Sequence, residues 1–598
     1  MPARAVYMLG LGCSCPQLRL ALGILGPTYY LVQRRRAKMV QEINSQQDTP
    51  KGHTILGGLA SISFRLASKH GLEIFLLGLA VYFTLDRFWF NDDAFIYFRY
   101  ADNWVLHGFG LTYNQGEFVE GFTSPAWQLL VSFFRFLGGS YHSVVMYGAV
   151  ISAALFSLLA IRVNDAFCPD AGLRVNFPLA YLCANYGMNR YFSSGLESPL
   201  VMLCAVGIAL YVVRPKSRLA LILTAMAPLV RHELILAVIV VALQNWIKER
   251  RFPRLLFLCT ALPLLGWLVF RVYYYADFFP NTYHLKDGSN YARGLTYLWD
   301  TCNAYRLHWV LLGFIALGLI LRRKKELSNR LTMLLAALAV TAYVVKVGGD
   351  YNHFRLLSLP FVLAAFSFGG LSEALLERLG TFRYPLMVAI PVCVVLLVVQ
   401  VDIGKQRDFF GMVDRRWRGK RGLVPEKVQE SDRFAQRFGK GRQETVFVHG
   451  WCLYGFRQSK DMMIHRFGLT DGILSRLDNL ASEYAGHHWK MLSPAIDLMF
   501  LYVDGFNSLE VRRKRPKRIT HPGRVGRIRH AARTRPVAPW IRENVAALEI
   551  IERKIYNKHQ LWSNLKLAFQ TPRIRYRRAG SYCQHEALGR REKADCRR

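Results

Sequence analysis

The sequence predicts a mainly α-helical, polytopic membrane protein, and three observations support that fold class. Hydrophobic residues make up 52% of the 598 residues, the mean hydropathy is +0.14, and long apolar runs recur as far as residue 401. A helix needs about 20 apolar residues to cross a bilayer. Runs near that length indicate a transmembrane helical bundle and not a barrel, because a helix satisfies its backbone polar groups within the segment.

The apolar runs supply a dozen candidate spans. They lie at about 71–89, 123–137, 142–161, 177–188, 197–213, 218–230, 233–247, 255–274, 307–321, 331–346, 356–374 and 384–401. Basic clusters flank several of them, and the positive-inside rule places such clusters in the cytoplasm. The clusters are Arg34–Arg36, Arg214–Arg218, Lys248–Arg251 and Arg322–Lys325.

The charge pattern requires an odd number of crossings between Asp92, expected outside, and Arg214, expected inside. Four runs lie between them, so the shortest, 177–188, is expected not to span. About 11 crossings remain. They place the amino terminus inside and everything after residue 402 outside.

Four parts are predicted along the chain. Residues 1–70 form a cytoplasmic basic segment, 71–402 the transmembrane bundle with extracytoplasmic loops, 403–510 a small mixed α/β extracytoplasmic domain, and 511–598 a basic tail. In the mixed domain, Thr445–Gly450 is typical of a buried strand. The broken apolar stretch within the first 38 residues is compatible with a surface helix, a poor signal sequence or an extension upstream of Met39.

Positive charge is concentrated in the tail. After Val511 the chain has 25 Lys and Arg against 6 Asp and Glu, about half of the net charge of +37. Such a segment is expected to be solvated, or to be attracted to anionic lipid head groups by about 1 kcal/mol per basic residue. Because the other basic clusters adjoin apolar runs, the predicted partner is the lipid bilayer, and no nucleic acid partner is predicted.

Two adjacent carboxylates, Asp92 and Asp93, follow directly after the first long apolar run, Leu72–Trp89. A carboxylate costs roughly 2.5 to 3.5 kcal/mol at the bilayer centre, so the pair is expected where the helix emerges into water. One interpretation is a helix N-cap with a polar stop signal. The other is chemistry at the membrane surface.

Further polar blocks occupy the predicted outer loops: Gly108–Asn114, Val119–Pro125, Ser194–Leu200, Arg231–Glu233, Asp277–Tyr283 and Gly348–Arg355. In this order, and with the acidic pair, they resemble the polytopic arabinofuranosyltransferases of actinobacterial cell walls and related envelope glycosyltransferases of the GT-C fold. The resemblance covers about residues 75 to 500. Two departures are Arg231-His232-Glu233-Leu234, where the family usually has Arg-Pro-Asp/Glu-Gly, and the basic tail.

The resemblance implies an inverting glycosyltransferase of the bacterial plasma membrane with its active site on the extracytoplasmic face. It would transfer a sugar, arabinofuranose in the first instance, from a polyprenyl-phosphate donor to an envelope glycan or glycolipid acceptor. A polyprenyl-phosphate hexose or aminoarabinose is an alternative donor. A secondary transporter or lipid flippase is the alternative from another class, but transporters tend to place their charges near the midplane and to show two related halves.

The implied site residues have different tasks. A sugar hydroxyl needs a carboxylate to accept its proton, and Asp92 or Asp93 would be that general base, with a slight preference for Asp92. Candidates for binding the donor phosphate are Arg231, His232, Lys286 and Arg355. Candidates for binding the acceptor or a divalent cation, Mg²⁺ or Ca²⁺, are Glu120, Glu197 and Asp350. A histidine at a helix end, such as His232, is more often a polar helix cap than a ligand.

Overall fold

The computed structural model describes residues 55–169, 175–285, 289–308, 312, 315, 326–350, 352, 354–378, 446–449, 452–457, 462–465, 468–476 and 545–573. The chain divides into two compact units, residues 1–68 and 69–598. Eighteen α-helices are described. They are α1 (Ile55–Asp86), α2 (Ala94–Val105), α3 (Pro125–Phe136), α4 (Tyr141–Phe167), α5 (Phe177–Ala184), α6 (Tyr186–Phe192), α7 (Ser198–Val213), α8 (Arg218–Val230), α9 (Ile235–Glu249), α10 (Arg254–Tyr275), α11 (Asn281–Leu285), α12 (Tyr291–Ala304), α13 (Leu327–Lys346), α14 (Ser358–Phe366), α15 (Leu371–Arg378), α16 (Cys452–Arg457), α17 (Val545–Ile555) and α18 (Leu561–Ala568).

Three of the described helices, α4, α10 and α13, are long and apolar enough to cross a membrane. The helices α7 and α8 and the segment Arg355–Phe366 are also apolar but shorter. These are the helices of a membrane protein, whereas the number of crossings stays a prediction. The run at 177–188 forms two short helices, α5 and α6, because the chain bends at Asn185, which caps α6. The run at 384–401, and most of 307–321, lies outside the described residues.

Helix α7 lies at the centre of the bundle. All but two of its 16 residues are buried, and it packs against α4, α8, α14 and α13. A helix that is apolar on every side belongs in a protein core or in the hydrocarbon of a membrane, and the neighbours of α7 place it in the core. The sequence starts it with Pro199 in the first turn, where proline costs no helical hydrogen bond.

The bundle has two chemically different ends. Helices α7, α8 and α9 follow one another in an up-down arrangement, joined by the basic turn Arg214–Ser217 and by the short 3₁₀ segment His232–Leu234. Glu197 before α7 and Arg231 after α8 therefore lie at one end, and they form an ion pair there. Arg214 and the polar end of α9 lie at the other end. The acidic loops and the basic turns thus lie at opposite ends of these helices, as the distribution of charge in the sequence predicted.

Part of the chain beyond the bundle packs against α2. Strands β1 (Val446–His449) and β2 (Met462–His465) pair in parallel, with α16 between them in the sequence. Cys452, Leu453 and Met463 join the aromatic residues of α2 in a second hydrophobic core. The expected strand at 445–450 is therefore present as β1. The extent of a mixed domain over 403–510 stays a prediction, since most of that range lies outside the described residues.

The basic tail contains two helices that pack against the rest of the protein, which differs from the expectation of a solvated segment. Helix α17 buries Leu548, Ile551 and Ile555, which lie on one face, and α18 packs against α10. The side chain of Asn564 donates a hydrogen bond to the Tyr273 carbonyl oxygen at 2.7 Å. The prediction of a solvated segment rested on the charge of the tail and missed this apolar stripe, because a count of charges carries no information about helical periodicity.

We expect a chain ending at Glu543 to be less stable than a chain ending at Arg573. Both lose the basic extreme carboxyl terminus, but only the first loses the three buried side chains of α17. Each such side chain contributes about 1.5 to 3 kcal/mol, so the free energy of unfolding should fall by roughly 5 kcal/mol or more. Thermal unfolding of the two purified proteins in detergent measures the difference. Equal melting temperatures would contradict the packing described for α17.

Candidate active site

The acidic pair lies in the turn between α1 and α2. The Asn91 amide donates a hydrogen bond to the Ser194 carbonyl oxygen at 2.8 Å, and the Asn91 side chain accepts one from the Asp93 amide at 3.0 Å. Asp93 occupies the N-cap position of α2, but its carboxylate makes no capping hydrogen bond. The helix-cap interpretation therefore does not account for the Asp93 side chain.

The two carboxylates have different surroundings. Asp92 accepts hydrogen bonds from the backbone amides of Cys452 and Leu453, at 2.8 and 3.2 Å, so α16 orients it. Burial, together with the neighbouring charge of Asp93, raises the pKa of Asp92 to about 7 and outweighs those hydrogen bonds. A carboxylate with a pKa near neutrality can accept a proton efficiently at neutral pH.

Glu197 and Arg231 form the buried centre of the site. The Glu197 carboxylate lies 2.6 Å from Nη1 of Arg231 and 3.0 Å from Nη2 of Arg355. Burial by itself would raise the pKa of Glu197, but the two guanidinium groups hold the pKa at about 2. Arg231 also pairs with Glu233, with 2.5 Å between Nε and Oε1. Burial opposes the ionisation of Glu233, and Arg231 overcomes it, so the pKa of Glu233 is lowered.

Arg355 connects the buried centre with the acidic pair. Besides Glu197, its guanidinium lies 3.4 Å from the Asp350 carboxylate and 3.7 Å from that of Asp93. The residue before it, Phe354, has a φ of 63°, a conformation that non-glycine residues adopt at a cost of about 1 to 3 kcal/mol. The surrounding fold maintains this strained turn directly beside Arg355.

Five residues predicted from the sequence thus meet in one cluster: Asp93, Glu197, Arg231, Asp350 and Arg355. Asp92 adjoins it through Asp93. With Glu233 included, four carboxylates contact the two guanidinium groups, and the carboxyl group of Asp92 lies beside them. The cluster is therefore rich in hydrogen-bond acceptors, which suits recognition of sugar hydroxyls and stabilisation of positive charge on a sugar ring.

The other predicted site residues lie elsewhere. His232 is at the same end of the bundle, but its side chain is 55% exposed, and Nε2 lies 2.8 Å from the Tyr343 hydroxyl. Glu120 forms a separate pair with Arg271 of α10, with 2.5 Å between Oε2 and Nε. Lys286 lies outside the described residues.

Several groups that the structure brings to the site were not among the site residues predicted from the sequence. Glu233 is one, although it belongs to the Arg231–Glu233 block, and its position two residues after Arg231 was the available signal. The Tyr97 hydroxyl, 3.4 Å from Glu197, is another. The third is the backbone of Cys452 and Leu453. No local sequence pattern predicts that these amides contact Asp92.

Among the described residues, no group of three acidic side chains brings its oxygen atoms together for Mg²⁺ or Ca²⁺, so the divalent cation stays a prediction. One group of described side chains could bring three ligand atoms together, Asp92, Asp93 and Cys452, with those atoms within 4.8 Å of one another. These hard cations prefer oxygen ligands, whereas Cys452 offers sulfur. Glu197 and Asp350 direct their oxygens towards arginine instead. No metal is therefore assigned a step.

Comparison with known proteins supports a distant relationship to a glycosyltransferase. The relative is the terminal β-(1→2)-arabinofuranosyltransferase of Mycobacterium tuberculosis (strain ATCC 25618 / H37Rv), and the two chains are 27% identical over 326 residues. The match covers 46% of this chain and 51% of that protein, so this chain spans about half the length of the curated relative. No protein-family model matches the chain, and no solved structure matches it significantly.

We expect Glu197→Gln to destabilise the protein. The change leaves Arg231 and Arg355 close together without the carboxylate that separates their charges, and breaking a buried ion pair typically costs 3 to 5 kcal/mol. Glu249→Gln is the matched control, since Glu249 is exposed at the far end of α9 and its replacement should change stability by about 0.5 kcal/mol or less. Thermal unfolding in detergent measures both.

The contribution of Glu197 also has a defined pH range. Because its pKa in the folded protein is lowered to about 2 from an ordinary value of 4.5, the stabilisation is complete above about pH 4.5 and is lost as the pH falls towards 2. The difference in melting temperature between the wild type and Glu197→Gln should shrink over that range. A constant difference would contradict the ion-pair assignment.

Proposed function

We propose that this protein is an integral-membrane, inverting glycosyltransferase. It transfers a sugar, arabinofuranose in the first instance, from a polyprenyl-phosphate donor to a hydroxyl of an envelope glycan or glycolipid. The observation that carries the proposal is the meeting of Asp93, Glu197, Arg231, Asp350 and Arg355 in one cluster, from blocks far apart in the sequence. The distant relative, whose name describes an arabinofuranosyltransferase, supports the same class of reaction.

In the proposed mechanism Asp92 is the general base. It accepts the proton of the acceptor hydroxyl while the hydroxyl oxygen attacks the anomeric carbon of the donor sugar. The bond between that carbon and the phosphate oxygen breaks, and the polyprenyl phosphate leaves with the bonding electrons. Attack on the face opposite the leaving group inverts the anomeric configuration. The α16 backbone amides keep Asp92 oriented for this step.

Asp93 and Arg355 have supporting tasks in the proposal. The Asp93 carboxylate stabilises positive charge that develops on the sugar ring in the transition state. Arg231 donates to Glu197 and Glu233 at 2.6 and 2.5 Å, whereas Arg355 lies 3.0 Å from Glu197 and its contacts with Asp350 and Asp93 are longer, at 3.4 and 3.7 Å. Arg355 is therefore the arginine that can turn towards the donor phosphate. The carboxylates of Glu197 and Asp350 orient its guanidinium group.

We expect Asp92→Asn and Asp93→Asn each to fold, and Asp92→Asn to reduce kcat/KM by about 10² to 10⁴, the usual contribution of a general base. The assay measures transfer from a polyprenyl-phosphate arabinose donor to a synthetic arabinoside by the purified protein. Asp86→Asn is the matched control, because Asp86 ends α1 just before the same turn but lies outside the cluster. Its activity should stay near that of the wild type.

The pH profile distinguishes the base from a merely structural carboxylate. With the pKa of Asp92 raised to about 7, the wild-type rate should fall as the pH drops below 7, because the protonated carboxyl group cannot accept a proton. The residual activity of Asp92→Asn should not show this decrease in rate below pH 7. Wild-type rates in both asparagine variants would show that neither aspartate acts in the reaction.

The proposed location is a plasma membrane, with the acidic cluster on the extracytoplasmic face. Gln115 is exposed on the loop between α2 and α3, and Lys216 is exposed in the basic turn between α7 and α8. Gln115→Cys should react with a membrane-impermeant maleimide in intact cells, and Lys216→Cys only after lysis, relative to the wild-type background. The opposite pattern would place the cluster in the cytoplasm and would exclude an extracytoplasmic reaction.

A further inference from the structure

A second charged site lies at the end of the bundle opposite to the acidic cluster. The carboxyl-terminal part of α4, the end of α7 and the turn leading into α8 line a cavity of about 470 Å³ that is open to the surface. Its lining residues are Arg162, Leu210, Arg214, Pro215, Lys216 and Ser217. This volume lies within the range of small-molecule sites, roughly 300 to 1,000 Å³.

The cavity is separate from the candidate active site. Helix α7 begins directly after Glu197 of the cluster and ends directly before Arg214 of the cavity. Its 16 residues correspond to about 24 Å at 1.5 Å per residue. A phosphate group in the cavity therefore cannot contact Asp92 or Arg355, and its binding does not depend on the proposed transfer reaction.

The chemistry of the lining points to an anion. Three of the six lining residues, Arg162, Arg214 and Lys216, are cations, and none is acidic. Within the part of the chain that the structure describes, no ion pair with a carboxylate is formed by these three side chains. Arginine pairs offer several N–H donors to phosphate oxygens, and lysine adds a point charge.

The start of α8 adds to the positive potential. Ser217 caps this 13-residue helix, its side chain accepting a hydrogen bond from the Ala220 amide at 3.3 Å. The first amides of a helix carry partial positive charge and favour a nearby phosphate. Leu210 and Pro215 supply an apolar wall on which a glycerol or acyl portion can pack.

We propose that this cavity binds a phosphate group, the headgroup phosphate of an anionic phospholipid or a free phosphate being the two sources of that chemistry. Basic pockets between membrane helices bind anionic headgroups in this way. The basic turn Arg214–Arg218 is then a ligand site as well as a topological signal. The lipid would fasten the ends of α4, α7 and α8 to one another.

The experiment compares phospholipid binding to the purified full chain by native mass spectrometry from detergent micelles. Phosphatidylglycerol and phosphatidylcholine are added in equal amounts. The triple variant R162Q/R214Q/K216Q removes the cations of the cavity. The matched control K248Q/R250Q/R251Q removes the same number of charges from the turn after α9, at the same end of the bundle.

The wild type and the control should retain phosphatidylglycerol in preference to phosphatidylcholine, and the cavity variant should lose at least about tenfold of that preference. Added inorganic phosphate or pyrophosphate forms the second arm. If it displaces the lipid, or binds the wild type but not the cavity variant, the site takes free phosphate. Two results would overturn the proposal. One is an equal loss of the preference for phosphatidylglycerol in the two triple variants, and the other is a wild type that neither prefers phosphatidylglycerol to phosphatidylcholine nor binds free phosphate.

Discussion

Arg355 is the residue on which the organisation of the candidate site depends. Its guanidinium lies within 4 Å of carboxylates from the α1–α2 turn, the start of α7 and the loop after α13. Buried carboxylates at such distances would repel one another or become protonated without a cation between them. Arg355 and Arg231 lower the pKa of the buried Glu197, Arg231 lowers that of Glu233, and the two arginines tie distant loops into one site.

The two ends of the bundle show how the same helices can separate two kinds of chemistry. Helix α7 carries Glu197 at its beginning and Arg214 just after its end, and α8 returns the chain from the basic turn to Arg231. Short connections between the helices are enough to form both ends, because each helix places its two termini on opposite sides of the apolar core. Most carboxylates of the cluster gather at one end, and the basic side chains of Arg162, Arg214 and Lys216 gather at the other.

Segments far beyond the bundle also contribute to the acidic end. The α16 amides orient Asp92, and α17 brings Lys554 to 3.2 Å from Asp277, which also pairs with Arg476. Burial opposes ionisation of Asp277, but His284, whose Nε2 lies 3.3 Å away, and the nearby cations lower its pKa. The basic tail is therefore in part a structural element, and its charges are partly matched by acids of the loops it covers.

The sequence by itself determined the helical class, the separation of acidic loops from basic turns, and most members of the cluster. These follow from apolar run length, from the distribution of charge and from a resemblance carried by Asp92, Glu197, Arg231 and Asp350. Only the tertiary structure decided that Glu120 pairs with Arg271 of α10, away from the cluster, and that α16 orients Asp92. The physical reason is that a local pattern specifies which groups face water at a helix end, whereas the pairing among those groups depends on helix packing and on backbone amides hundreds of residues away.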